Sequence, residues 1–130
     1  MTLFTVDKKW IILLGLVIAL GLFLLFARQP SSRIDLTGQG IAEVVLTAQG
    51  FVPNEFAVSV GTEVVFTTEA GKPFWPASNI HPSHDIYPAF DPERPLAPDE
   101  SWSFTFAEVG TWGFHDHVRS YYTGIIEVVE

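Results

Sequence analysis

The chain has 130 residues, enough for one modest domain and an appendage. It has no cysteine and its single methionine is Met1, which excludes disulfides, a thiolate-held metal and a thioether ligand. The formal net charge is −8, and from Ile34 onward fourteen Asp and Glu stand against Lys72, Arg94 and Arg119, a balance of −11 that disfavours nucleic acid and favours cations or a basic partner.

The first element is an apolar run, WIILLGLVIALGLFLLF at residues 10–26, which Ala27 extends. Its length is close to the minimum for an α-helical bilayer span. Lys8 and Lys9 precede it, so residues 1–9 are expected in the cytoplasm, residues 10–27 as the transmembrane helix, and the remainder outside. The alternative is a cleaved signal peptide. The run is longer than an ordinary signal core of about 7–15 residues, and FARQPSS after it offers no small-x-small cleavage site. Residues 28–40, RQPSSRIDLTGQG, read as a polar tether.

From Ile41 the pattern changes to strands. IAEVVLTA is β-rich; EFAVSV puts Phe56, Val58 and Val60 on one face, and TEVVFTT does the same for Val64 and Phe66. WSFTFA aligns Trp102, Phe104 and Phe106, and TWGFH and GIIEVV complete the set. Short alternating strands divided by turn residues predict an all-β antiparallel sandwich or barrel over residues 41–130. Trp75, Trp102 and Trp112 are expected in its core.

Residues 69–100 interrupt this pattern. Seven of the nine prolines fall here, which rules out central sheet. The segment also carries Phe74, Trp75, Ile80, Ile86, Tyr87 and Phe90, which predict an ordered loop packed on the sandwich.

All four histidines lie in two pairs, His81-Pro82-Ser83-His84 in the loop and His115-Asp116-His117 at a strand end. On a strand, residues i and i+2 point to one side, so His115 and His117 can hold one metal together. A proline-stiffened turn can bring His81 and His84 together with little entropy left to lose. Imidazole nitrogen suits copper and zinc, and Asp85 or Asp116 is expected to accept a second ring N–H. Spacing alone does not say which histidines share one ion.

Three segments from about residue 51 onward form a joint pattern: GFVPNEFAVSVGTEVVFTT, LAPDESWSFTFAEVGTWGFHDH and TGIIEVVE. They are similar, in that order, to the early strands, the penultimate hairpin and the closing strand of the cupredoxin family, which the chain thus resembles. The resemblance implies a Greek-key β-sandwich with copper as the cofactor, zinc being the alternative. Blue-copper members carry a cysteine where this chain has Asp116, and no methionine follows, so a blue thiolate–copper centre is excluded. Gly110-Thr-Trp-Gly-Phe-His-Asp-His117 instead resembles the His-x-His strand of multicopper oxidases, which implies that His115 and His117 are metal ligands. His81 and His84 fall roughly where cupredoxins take their upstream histidine ligand.

Three functions fit this reading. The first is a membrane-anchored, extracytoplasmic copper-binding protein using His81, His84, His115 and His117, for copper handling or support of a redox complex. The second is a small copper redox protein or enzyme, although no separate acid–base or nucleophile set stands out. The third is a metal-free accessory subunit of a membrane complex. Neither a phosphate-binding glycine loop nor a basic aromatic surface for nucleic acid is present.

Overall fold

The computed structural model describes residues 15–18, 21 and 33–130. The chain divides into two units, Met1–Ser31 and Ser32–Glu130. In the first, residues 15–18 and 21 are helical. The expected span at residues 10–27 lies largely outside the described residues, among which no helix is long and apolar enough to cross a membrane.

The second unit is a β-sandwich. In chain order its strands are β1 (Ile34–Asp35), β2 (Ile41–Thr47), β3 (Gly50–Val52), β4 (Glu55–Ser59), β5 (Glu63–Thr68), β6 (Pro76–Ser78), β7 (Trp102–Thr105), β8 (Gly110–Asp116) and β9 (Arg119–Val129). One sheet has the order β1-β4-β9-β8-β6 and the other β3-β2-β5-β7. Four consecutive connections from β3 to β7 each change sheet, which stitches the two layers together. The sheets are mixed rather than antiparallel throughout. β2 pairs with β5, β4 with β9 and β1 with β4 in parallel, because crossing between sheets reverses the chain without a hairpin.

The alternation read from the sequence puts Phe56 and Val58 of β4 and Val64 and Phe66 of β5 on inner faces, and all four are buried. Ala42, Val44 and Leu46 of β2 and Ile126 and Val128 of β9 are buried with them. Val60, expected to continue the inner face of β4, lies beyond the strand and is exposed. Aromatic rings fill the space between the layers. Phe114 lies 4.9 Å from Phe51 and 5.7 Å from Phe66, and Phe90 lies 5.5 Å from Phe66, centroid to centroid. Burying each such side chain contributes about 1.5–3 kcal/mol.

The polar tether is shorter than the sequence reading placed it. Ile34 and Asp35 pair with Phe56 and Ala57, and Leu36 packs on the core. The segment carries no strand period of its own and is docked further by hydrogen bonds, among them the Leu36 N–H to the Ala57 carbonyl at 2.9 Å and the Thr62 hydroxyl to the Gln39 carbonyl at 3.1 Å.

The proline-rich segment is ordered and packed, as its aromatics require. Phe74, Tyr87 and Phe90 are buried, whereas Ile80 and Ile86 are exposed. β6 forms an edge strand on β8, with proline at its first residue, where it costs no central ladder bond. At the end of β6, buried Ser78 holds the loop that follows. Its hydroxyl donates to the His84 carbonyl at 2.7 Å and accepts from the Tyr87 N–H at 3.3 Å.

Candidate metal centre

The loop and the β8 end converge on one cluster. One ring nitrogen from each of His81, His84, His115 and His117 lies within 4.8 Å of the others. His81 Nδ1 is 3.2 Å from His115 Nε2, and His84 Nε2 is 2.8 Å from His117 Nδ1. Metal–imidazole bonds of about 2.0–2.1 Å put adjacent ligand nitrogens roughly 2.8–3.4 Å apart. Each close contact joins one loop histidine to one histidine from the β8 end, so neither sequence pair is a site by itself.

Local structure explains how each ring arrives. His115 is on β8, opposite Thr123 of β9 and Ala77 of β6. His117 is not on the strand. The register shifts between His115 and Asp116, and His117 sits in the β8–β9 turn, where its N–H donates to the Trp75 carbonyl at 2.7 Å. The expected same-side rule therefore gives way to a bulge and a turn that still deliver both rings to one place. In the loop, His84 adopts φ 54°, a left-handed conformation that costs of order 1 kcal/mol for a non-glycine residue. It is held there by its N–H bond to the Ile80 carbonyl at 2.7 Å and by Ser78 on its own carbonyl.

Two of the rings have their distal nitrogens tied. His84 Nδ1 lies 2.5 Å from Asp91 Oδ2, and His115 Nδ1 lies 3.1 Å from Asn79 Oδ1. Both partners accept, so the ring protons sit on Nδ1, and in the neutral rings the Nε2 lone pairs face inward. Each of these Nε2 lone pairs faces an Nδ1 of His81 or His117, an N–H donor to it when protonated and a second ligand nitrogen when not, and this donor set fits a metal ion. Gly113 makes room for the arrangement, because a Cβ there would lie 2.6 Å from Asn79 Nδ2.

The acidic partners differ from those expected. Asp85 accepts from the Ser83 hydroxyl and reaches no ring. Asp116 is fully buried and faces away from the cluster. It accepts from the Trp75 N–H at 2.8 Å and from Arg119 Nε at 2.7 Å, which makes it a brace for the turn. The carboxylate that meets a ring is Asp91. Burial opposes its ionisation, but hydrogen bonds from His84, Trp75 and the Glu93 N–H hold it below the usual aspartate range. The signal for Asp91 in the sequence was weak, since it is seven residues from His84 along an irregular loop.

Trp75 is also placed differently. It is half-buried outside the core, with its ring 4.3 Å from that of His117 at 30° and its Nε1–H donated to Asp91 Oδ1 at 2.7 Å. Trp102 and Trp112 pack against the core as expected.

The electrostatics suit neutral imidazoles. The His115 pKa is pushed down to about 4, first by burial and then by the positive charge its protonation would meet on His84, His81 and His117; Asp116 pulls the other way. His117 is lowered by burial and then by His81 and His84, against the opposing pull of Asp91 and Asp116. A ring that stays unprotonated keeps its lone pair for a metal.

Comparison with known proteins supports the architecture. No protein-family model and no curated protein sequence matches the chain. Among solved structures, a purple cupredoxin from Nitrosopumilus maritimus superposes with a TM-score of 0.58 at 20% identity, covering 67% of this chain and 98% of that one. A mutant fern plastocyanin gives 0.57 at 23% identity, covering 67% and 99%. A copper-containing nitrite reductase from Thermus scotoductus gives 0.56 at 22% identity, over 68% of this chain but only 22% of the enzyme. The domain is thus a cysteine-free, cupredoxin-like β-sandwich with an all-histidine cluster at the end of β8.

Proposed function

We propose that this domain binds one copper ion through His81 Nδ1, His84 Nε2, His115 Nε2 and His117 Nδ1. The observation that carries the reading is the convergence of four imidazole nitrogens within 4.8 Å from two distant chain segments. Copper is favoured over zinc on two grounds. Nitrogen sites bind Cu(II) most tightly among the divalent first-row metals. The similar structures include a copper-containing reductase and a Cu(I) amicyanin. When bound, copper supplies one-electron chemistry or serves as cargo. Without a thiolate its intense blue band is absent.

The protein's own part is to hold and shield the ion. Three of the four histidines come from backbone braced by Ser78, Trp75 or sheet pairing. The acidic domain raises the local cation concentration. With residues 10–27 as a single-pass anchor and the sandwich on the extracytoplasmic side, the role is copper handling or support of a membrane redox complex, including a basic partner. The full chain in detergent should take up one Cu(II), with nitrogen hyperfine in its EPR spectrum. No stoichiometric uptake would contradict the reading, and zinc uptake in preference to copper would replace the metal. For the anchor, the chain should stay with membranes after carbonate washing; its release would refute that part.

A further inference from the structure

We propose that Asp91 is a positioning residue that holds His84 in its Nδ1–H tautomer and makes Nε2 a donor favouring Cu(II) over Cu(I). The inference rests on the copper reading above and deepens it.

Asp91 is fixed before it meets the ring. Its Oδ1 accepts from the Glu93 N–H and from Trp75 Nε1–H, both at 2.7 Å, in a turn where Glu93 takes φ 58°. Oδ2 is left to face His84 Nδ1 at 2.5 Å, with the two side chains only 16% and 6% exposed. An ionised carboxylate can only accept, so the shared proton belongs to Nδ1, and in the neutral ring the lone pair is then on Nε2. Nε2 is the nitrogen that faces His117. The same carboxylate clamps the indole that lies against the His117 ring, and so it governs both members of this close pair.

The partner of the other inner ring gives the contrast. His115 Nδ1 meets the neutral amide of Asn79. Asp91 is therefore the charged acceptor on a cluster imidazole among the described residues. A charge-assisted bond to Nδ1–H draws the proton outward and enriches Nε2 in electron density. A negative charge one ring away also offsets two positive charges more than one. Both effects favour the divalent ion.

Two experiments test this. Long-range 1H–15N NMR of the metal-free full chain at neutral pH should show His84 as the Nδ1–H tautomer; the Nε2–H tautomer would overturn the proposal. This readout needs neither copper nor a folded variant. In the second, Asp91→Asn is compared with Asp85→Asn, which removes the same charge one residue after His84 but from a carboxylate bonded to Ser83. Asp91→Asn should weaken Cu(II) binding about 10–100-fold. It should raise the reduction potential by about 59 mV for each tenfold loss that Cu(I) does not share. Asp85→Asn should leave both unchanged. Equal effects from the two variants would overturn the proposal in favour of bulk charge. Wild-type protein that takes up no copper would refute the copper reading and, with it, the preference for Cu(II). Normal copper uptake with an unaltered potential in Asp91→Asn would refute the positioning role alone.

Discussion

The two halves of the histidine cluster are built differently. His84 and His115 are buried, present Nε2, and have Nδ1 tied to Asp91 and Asn79. His81 is exposed, His117 is half-buried, and both present Nδ1. Side-chain hydrogen bonds orient the inner pair. In the outer pair, His117 is held by its N–H bond to the Trp75 carbonyl and by the Trp75 ring, and His81 meets the rings of His115 and His117. The inner half is held by more hydrogen bonds than the outer half, so on the proposed copper reading equal substitutions in the two halves should have unequal consequences.

The largest difference is expected between His115→Ala and His81→Ala. The first removes a buried donor and strands the Asn79 carbonyl, so stoichiometric copper should be lost by more than the roughly 10–100-fold that loss of an outer partner costs. The second should leave weaker but measurable uptake with one nitrogen fewer in the EPR spectrum. Equal losses in calorimetric titration would erase the distinction between the halves.

Stability probes come next. Asp116→Ala leaves Arg119 and the Trp75 N–H without their buried partner, and should lower unfolding stability by about 3–5 kcal/mol in denaturant. Gly113→Ala should cost about 1–3 kcal/mol as its Cβ pushes the Asn79 amide off His115, an effect on the inner half that His81 should not feel. Histidine NMR separates the two halves in that variant.

The pH response is the finest probe. Metal-free His115 titrates near 4 when folded and near 6.5 when unfolded. Between these values the unfolded chain binds more protons. The contribution of this group to stability is therefore complete above about 6.5 and is lost as pH falls toward about 4. Denaturant midpoints across that window should fall on acidification; a flat profile would place His115 nearer to solvent than its burial implies.

Much of this was legible in the residues. Period-two alternation marked the inner faces at Phe56, Val58, Val64 and Phe66, because a strand has only two sides and one of them is core. The confinement of all four histidines to two pairs pointed to the cluster, since so few polar side chains of one type seldom fall together without a shared task. Other features escaped, three of them for plain physical reasons. The parallel docking of Ile34–Asp35 depends on backbone bonds that any residue can make. Asp91 reaches His84 through a loop with no period to count along. Trp75 looked like core because an indole is large and apolar, yet Asp91 and the Asp116 brace hold it over His117 instead.

The central claim is that both halves serve one ion. EPR of the full chain with one equivalent of Cu(II), compared with His84→Ala and His117→Ala, tests it most directly, because these residues come from different segments yet face each other at 2.8 Å. The account predicts a single nitrogen-ligated signal without a blue band, altered by either substitution. A signal that responds to only one of them, or no bound copper at all, would contradict it.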